Sequence, residues 1–220
     1  KPVARYLAGI GREAVSLDFP GFGESPPPPV AWGVPEYAGV TRRFIESLGL
    51  EKPDVIAHSF GGRVAIWLAS QDPALFCKLV LVDAAGVRPR RCLGYYLRVY
   101  RYKLGKRLAK NAFLDRALGL TEQLKTAGSA DYRALSGVMR ESFVKIVNLD
   151  LTRRLKLIRN ETLLVWGEED RETPLYMARR MQADIPEAGL AIIPNAGHFS
   201  FLDQYARFCS IIKVLLEERR

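Results

Sequence analysis

Cysteine, histidine and long apolar runs are all scarce in this 220-residue sequence, and each shortage excludes a class of protein. The 3 cysteines are widely spaced, so they form neither a disulfide framework nor the usual pattern of zinc ligands. So little cysteine is most simply explained by a reducing, cytoplasmic setting. The 2 histidines, His58 and His198, lie in separate motifs. No apolar run approaches the roughly 18–20 residues that a membrane-spanning helix needs.

The composition indicates one folded unit with a separate basic segment. Hydrophobic residues make up 48% of the chain, which is enough for a sizeable core and too much for a disordered protein. The length fits one large domain or one domain with an insertion. Residues 87–150 hold 14 basic and 5 acidic side chains, whereas the rest of the chain holds 19 of each. One segment therefore carries the whole net charge of +9.

Outside the basic segment, strand and helix patterns alternate along the chain. Short apolar runs predict strands at residues 14–17, 54–58, 78–82, 162–166 and 190–193. Helical spacing predicts helices at 2–10, 36–48, 63–70, 175–183 and 202–218, and glycine and proline predict a loop at 19–29. This alternation predicts an α/β fold with a mostly parallel sheet flanked by helices.

The basic segment has a different pattern and reads as an all-helical insertion. Apolar residues recur every three or four positions between Leu93 and Leu108, and further helices are predicted at 111–128 and 132–147. No strand pattern occurs between Gly86 and Glu161. We therefore predict a core formed by residues 1–86 and 151–220, with residues 87–150 as a helical cap.

Ser59 is the candidate nucleophile. It lies in the run AHSFG (57–61), directly after a predicted strand and before a predicted helix. A serine hydroxyl is a poor nucleophile until a base takes its proton. A sharp strand-to-helix turn exposes the hydroxyl and needs small residues two positions to either side. Ala57 and Gly61 stand there, although glycine is usual at both positions. The alternative is an ordinary Ser-Gly turn ahead of a helix.

An acid and a base also follow predicted strands. Asp170 comes just after the strand at 162–166, and His198 comes just after the strand at 190–193. Ligands of open α/β sheets bind at the carboxyl ends of the strands. Because Ser59 also follows a strand, we expect these three side chains to meet at one edge of the sheet.

Four segments in this order resemble the α/β-hydrolase superfamily, and especially its small capped bacterial serine hydrolases. They are residues 18–25 (DFPGFGES), 58–62 (HSFGG), 166–170 (WGEED) and 197–198 (GH). The resemblance implies that Ser59 attacks a carbonyl carbon and that His198 is the general base. It implies that Asp170 orients the histidine and that the backbone N–H of Phe60 is one donor of the oxyanion hole.

Four neighbouring residues receive other interpretations. His58 is predicted to pack beside the turn rather than to act as the base. Asp83 also follows a strand, and some relatives place the acid there, so it is the alternative to Asp170. Glu168 and Glu169 are predicted to be solvated turn residues.

The chain departs from the family pattern near its start. The resemblance implies an upstream strand ending in His-Gly, followed by a loop that supplies the second oxyanion donor. No His-Gly precedes Asp18, so we expect the sequence to begin after the first three strands. The missing third strand would leave a gap between the strands ending at Asp18 and His58, or make them pair directly. Loss of one oxyanion donor lowers turnover roughly 10²–10³-fold, so weak or no activity is expected of this chain alone.

The basic segment leaves several partners open. Residues 88–110 hold 9 basic and no acidic side chains, interleaved with tyrosines. Such a segment could attract an anionic substrate, lie on an anionic membrane or bind nucleic acid. The simplest interpretation is a cap helix with its apolar stripe on the pocket and its charges in water. We expect a small-molecule substrate, with an anionic substrate as the next interpretation, and neither membrane contact nor nucleic-acid binding.

The sequence thus predicts hydrolysis of a small or medium carboxylic ester through an acyl-enzyme on Ser59, without a metal or organic cofactor. The same triad could cleave an amide, a thioester or a carbon–carbon bond. Dehalogenases and epoxide hydrolases are disfavoured because they need a carboxylate where Ser59 stands. Two alternatives are not enzymes. The chain could be a non-catalytic ligand-binding relative, or an interaction module that uses the basic cap.

Overall fold

In the part of the chain that the structure describes, four parallel strands form a sheet, and their order in the sheet is also their order along the chain. The structure is a computed structural model that describes residues 2–90, 100–101, 104, 107–108 and 134–217. The strands are β1 (Val55–His58), β2 (Lys78–Val82), β3 (Glu161–Gly167) and β4 (Gly189–Ile193). The predicted α/β fold is confirmed, and the four strands predicted from residue 54 onwards are present.

Helices lie before, between and after these strands. They are α1 (Pro2–Gly9), α2 (Val34–Ser47), α3 (Phe60–Gln71), α4 (Gly137–Asn148), α5 (Thr152–Leu155), α6 (Leu175–Asp184), α7 (Ser200–Asp203) and α8 (Tyr205–Glu217). Helix α3 connects β1 to β2, and α6 connects β3 to β4. No helix in the described part of the chain is both long enough and apolar enough to cross a bilayer.

The two faces of the sheet are covered by different helices, because side chains alternate along each strand. In β2, Leu79 and Leu81 belong to the larger buried cluster with residues of α2, α3 and α6. Val80 and Val82 belong to a second cluster with residues of α1 and α8. All residues of β2 are buried, as expected for a central parallel strand.

The predicted strand at residues 14–17 is wrong. These residues have no regular secondary structure. A cavity of about 350 Å³ is lined both by Val15, Ser16 and Leu17 and by the residues of β1. A strand exists only where its backbone groups pair with a neighbour, and here the cavity lies where that neighbour would be. A gap, rather than direct pairing with β1, is therefore found beside this edge of the sheet.

The single terminal helix predicted at 202–218 is divided into α7 and α8. Gln204 lies between them with φ −130° and ψ 56°, outside the helical region. The carboxylate of Asp203 accepts a hydrogen bond of 2.8 Å from the N–H of Gly197. This contact joins the end of α7 to the preceding loop, and nothing local in the sequence indicates it.

Much of the predicted cap lies outside the described residues, including all of the helix predicted at 111–128. Positions 100, 101, 104, 107 and 108 are described and are helical. The helix predicted at 132–147 is interrupted: Ala134 is helical, Leu135 and Ser136 are not, and α4 begins at Gly137 after Ser136, which is extended with φ −134°. No strand occurs in the described part of residues 87–150.

Candidate active site

Ser59 occupies a sharp turn between β1 and α3. Its φ of +47° lies in the left-handed region, which is unfavourable for a residue with a Cβ. The adjacent strand holds this conformation: the N–H of Ser59 donates to the carbonyl of Val82 at 3.1 Å, and its own carbonyl accepts from Ala85 at 3.0 Å. The strained turn is therefore fixed by β2 and presents the Ser59 side chain to a cavity.

Of the two glycines that follow Phe60, Gly62 is the one at which a side chain would clash with its surroundings. A Cβ at Gly61 would lie 3.8 Å from the Cβ of Ala57, an ordinary contact. A Cβ at Gly62 would lie only 2.5 Å from the Cβ of Ala84. Helix α3 thus begins directly against the turn that follows β2. The turn pattern in the sequence indicates small residues at Ala57 and Gly61, but the stricter steric requirement lies at Gly62.

The side chains of Ser59, His198 and Asp170 form a hydrogen-bonded line. His198 Nε2 lies 2.9 Å from Ser59 Oγ, and His198 Nδ1 lies 2.9 Å from Asp170 Oδ2. Because a carboxylate only accepts, Nδ1 carries the proton and Nε2 accepts from the Ser59 hydroxyl. The three residues that we expected to meet are in contact at the carboxyl ends of β1, β3 and β4.

Asp170 is held in its ionised form. Its side chain is 0% exposed, and burial alone would raise its pKa. Hydrogen bonds from His198 and from the Thr173 hydroxyl, at 2.7 Å, act against burial. The backbone N–H groups of Glu172 and Thr173 donate to the other carboxylate oxygen at 2.8 and 2.9 Å. These bonds outweigh burial, so the pKa of Asp170 lies below its ordinary value.

The pKa of His198 is shifted in the opposite direction, upwards. Burial lowers the pKa of the ring, but the hydrogen bond to Asp170 and the charges of Asp170, Glu172 and Asp83 raise it above the ordinary value. Glu172 Oε2 lies 3.3 Å from His198 Nε2. That nitrogen cannot accept from Ser59 and donate to Glu172 at once, so the Glu172 contact favours the protonated ring. Protonated histidine is the form that a general base reaches after taking a proton.

Thr173 is a site residue that the sequence analysis missed. Its hydroxyl donates to Asp170, and its carbonyl accepts from the indole N–H of Trp166 at 2.6 Å. Trp166 is fully buried in β3, so it anchors the loop that carries Asp170. A threonine three residues after an aspartate is typical of local side-chain-to-backbone bonding, and this signal was available in the sequence.

The side chain of Asp83, the alternative acid, forms hydrogen bonds with the neighbouring loops rather than with His198. One carboxylate oxygen accepts from the N–H of Gly167 at 2.8 Å, and the other accepts from the N–H and hydroxyl of Ser200 at 3.1 and 2.5 Å. Within the described residues, no hydrogen bond joins Asp83 to His198. Burial raises the pKa of Asp83 to about 6, although these hydrogen bonds lower it. Asp83 therefore ties the loops that carry Asp170 and His198 to the end of β2.

Those two loops pack backbone against backbone. A Cβ at Gly167 would lie 2.2 Å from the carbonyl oxygen of Gly197 and 2.5 Å from that of Ala196. The N–H of Glu169 donates to the carbonyl of Ala196 at 2.9 Å. The Glu168 and Glu169 residues themselves are exposed, as predicted. Gly167 thus sets how closely the acid loop approaches the histidine loop.

His58 packs beside the site, as predicted. Its Nε2–H donates to the carbonyl oxygen of His198 at 2.7 Å, and its ring centre lies 4.9 Å from that of His198 and 5.1 Å from that of Phe199. Burial lowers the pKa of His58 below its ordinary value, which favours the neutral ring. His58 therefore supports the backbone that presents His198.

A cavity of about 740 Å³ opens on Ser59 and His198. Most of its described lining is apolar and includes Phe22, Met139, Phe143, Ile146 and Val147. Its charged lining residues are Arg63 and Glu172. Phe60 also lines it, and as the first residue of α3 it has an N–H without an acceptor inside the helix. An oxygen bound between Ser59 and this N–H could be stabilised as it becomes negative.

The arrangement is suited to nucleophilic catalysis by a serine. It provides a hydroxyl, a base within hydrogen-bonding distance and a carboxylate that orients the base. Among the described residues, no group of three or more His, Cys, Asp or Glu side chains is placed to bind a metal ion.

Known proteins that match this sequence do so over most of its length. The sequence model of a family described as "Alpha/beta hydrolase family" matches residues 2–211. A Bacillus subtilis (strain 168) protein named "Uncharacterized hydrolase YugF" is 27% identical over 202 residues, which cover 84% of this chain and 73% of that protein. A Cupriavidus pinatubonensis protein named 2-hydroxy-6-oxononadienedioate/2-hydroxy-6-oxononatrienedioate hydrolase is 28% identical over 210 residues, covering 88% of this chain and 72% of that protein.

Solved structures share the fold. An esterase from Exiguobacterium antarcticum superposes with a TM-score of 0.73 at 20% identity, over 97% of this chain and 85% of the esterase. A meta-cleavage product hydrolase from Pseudomonas fluorescens IP01 superposes with a TM-score of 0.71 at 21% identity, over 99% of this chain and 84% of that one. At such identities the likeness establishes the architecture alone.

Proposed function

The chain belongs to the alpha/beta hydrolase family, and from that premise we propose that it is a serine hydrolase that cleaves a small or medium carboxylic ester. The observation that carries the proposal is the line from Ser59 Oγ through His198 to Asp170, with both contacts at 2.9 Å. Neither a buried structural serine nor an ordinary turn needs a histidine and an ionised aspartate behind it.

In the first half of the proposed reaction, Ser59 Oγ attacks the ester carbonyl carbon. His198 Nε2 takes the hydroxyl proton as the new C–O bond forms, and the carbonyl electrons move to oxygen. The Phe60 N–H donates to that oxyanion, and Asp170 stabilises the imidazolium through Nδ1–H. The carbonyl then re-forms and the C–O bond to the alkoxy group breaks. His198 gives its proton to the departing oxygen, so an alcohol leaves and the acyl group remains bound to Ser59.

In the second half, water replaces the alcohol. His198 takes a proton from water, and the hydroxide attacks the acyl carbon. The C–O bond to Ser59 then breaks, and Ser59 recovers its proton from His198 while the carboxylic acid departs. Each half needs His198 to alternate between neutral and protonated forms, which fits a ring supported by Asp170 and Glu172.

The cavity supports a substrate of modest size. Its volume of about 740 Å³ and its mostly apolar lining suit a small organic molecule with few polar groups. Residues of α4, among them Met139 and Ile146, also line the cavity. Because α4 belongs to residues 87–150, we propose that this segment acts as the cap and contributes to substrate selection.

Cleavage of a carbon–carbon bond is the second candidate. It is favoured by the Cupriavidus pinatubonensis relative, whose name denotes a hydrolase of 2-hydroxy-6-oxo dienedioates. Comparing turnover of a p-nitrophenyl ester with that of a 2-hydroxy-6-oxo dienoate would separate the two candidates.

Labelling by a fluorophosphonate probe tests the proposed nucleophile directly. We expect slow labelling of the wild-type chain, because a single oxyanion donor supports only weak turnover. Both Ser59→Ala and His198→Ala should lose labelling. Ser47→Ala is the matched control, because the Ser47 hydroxyl is exposed and donates only to the carbonyl of Phe44 within α2. Labelling that persists in Ser59→Ala, or none in a folded wild-type chain, would contradict the proposal and favour a non-catalytic relative.

A further inference from the structure

Arg63 is a buried cation in the wall of the cavity that contains Ser59. The residue is 6% exposed and lies in the first turns of α3. It follows Ser59 by four positions, and both residues line the cavity. Burial lowers the pKa of Arg63 to about 10, although the charge of Asp150 raises it. The fold thus keeps a cation where burial opposes one.

The contacts of Arg63 leave most of its guanidinium unused. Its Nη1 donates to the carbonyl of Leu149 at 2.7 Å, whereas a guanidinium has five N–H donors. Arg63 forms no ion pair in the described part of the chain. The only buried side-chain polar atom there without a hydrogen bond is Asn160 Oδ1. The remaining Arg63 donors are therefore open to the cavity rather than sealed within protein.

Two further features favour an anion beside Arg63. The first turn of a helix carries positive partial charge, so an anion near Arg63 would be stabilised by both the guanidinium and α3. The other charged lining residue, Glu172, has 63% of its side chain exposed. Water screens Glu172 more strongly than the buried Arg63, so Arg63 is the less screened of these two charges.

We infer that Arg63 binds a carboxylate of the substrate, so that the molecule cleaved at Ser59 is an anion. That the bound anion is cleaved at Ser59 rests on the proposed function, whereas the binding of a carboxylate by Arg63 does not depend on it. A guanidinium and a carboxylate are both planar and can form two parallel hydrogen bonds. Arg63 is the fourth residue of α3 and Ser59 directly precedes that helix. At a rise of 1.5 Å per residue the two lie about 6 Å apart along the axis, so a few methylenes would join the carboxylate to the reacting carbonyl.

Titration calorimetry of the intact chain with pentanoate and pentanamide tests the site without turnover. The two probes are similar in shape and differ in charge. We expect pentanoate to bind about 10–100-fold more tightly, the range of hydrogen bonds to charged groups. Arg63→Gln should remove that difference, and Arg63→Lys should restore part of it. Arg42→Gln is the matched control, because it removes a cation that pairs with Asp72 outside the cavity.

Equal affinities for the two probes in the wild-type chain would overturn the inference. So would a pentanoate preference that survives Arg63→Gln, because the carboxylate would then be held by Phe60 or His198. If Arg63 were purely structural, Arg63→Gln would lower kcat/KM by the same factor for mono-p-nitrophenyl glutarate and for its methyl ester. If Arg63 binds the carboxylate, Arg63→Gln lowers kcat/KM more for the free acid than for the methyl ester. Normal pentanoate binding without fluorophosphonate labelling would refute the proposed function and leave this site standing.

Discussion

Replacing Thr173 with valine should destabilise the chain by removing one bond inside the site. The Thr173 hydroxyl donates to Asp170 Oδ2 at 2.7 Å, and the Asp170 side chain is 0% exposed. Hydrogen bonds to buried charged groups contribute about 1.5–3 kcal/mol to the free energy of unfolding. Valine has nearly the same shape, so the loss should fall in that range without a cavity. The pKa of Asp170 should rise towards its ordinary value.

Urea unfolding measures this change, and Thr152→Val is the matched control. The Thr152 hydroxyl also donates to a carboxylate, Asp150 Oδ1, at 2.6 Å, but this pair is exposed. We expect the control to change the unfolding free energy by less than about 0.5 kcal/mol at pH 7. Because the pKa of Asp170 is lowered in the folded chain, the Thr173 contribution should be complete above the ordinary aspartate pKa, about 3.9, and disappear as the pH falls through the folded value. Equal losses at both sites would refute the reasoning.

Three further changes test other parts of the site. Glu172→Gln removes a charge that raises the pKa of His198, so the acid limb of kcat/KM should move to lower pH; a shift to higher pH would contradict this. Gly62→Ala should destabilise the chain by about 1–3 kcal/mol, whereas Gly61→Ala should be neutral or slightly stabilising, as measured by thermal unfolding. Asp83 has a pKa raised from 3.8 to about 6, so its ionisation opposes folding as the pH rises through that window. Asp83→Asn should remove up to about 3 kcal/mol of that pH dependence in urea titrations.

The sheet was predictable where the local pattern and its neighbours agree. The run KLVLV at 78–82 is the observed β2, because an apolar run buried on both faces is what a central parallel strand needs. Residues 14–17 have a similar apolar pattern and form no strand. The difference lies in the neighbour: β2 pairs on both sides, while residues 14–17 face a cavity. A local apolar pattern indicates that a segment can form a strand. Whether the strand forms depends on whether a neighbouring strand is available to pair with it.

The same distinction holds within the site. Ser59, Asp170 and His198 could be expected together because each follows a strand, and parallel strands end at one edge of the sheet. The positions of Asp83 and Arg63 could not be read in this way. Whether Asp83 faces the histidine ring or the loop backbones depends on how three turns pack, and the environment of Arg63 depends on α4 and the turn after it.

The geometry of the site is an extension of the sheet itself. The parallel hydrogen-bond pattern continues for one residue past three strands, with N–H groups donating to the carbonyl at or near the end of the next strand: Ser59 to Val82, Asp83 to Val165, and Glu168 to Ile193. The turns that carry Ser59 and Asp170, and the turn of Asp83 between them, are therefore held in strand register rather than as independent loops. A turn fixed at both ends in this way can keep Ser59 and Asp83 at φ values of +47° and +43°. The proposed catalysis by Ser59 would depend on positioning within fractions of an ångström, and the sheet is the part of the fold that fixes the turn of Ser59.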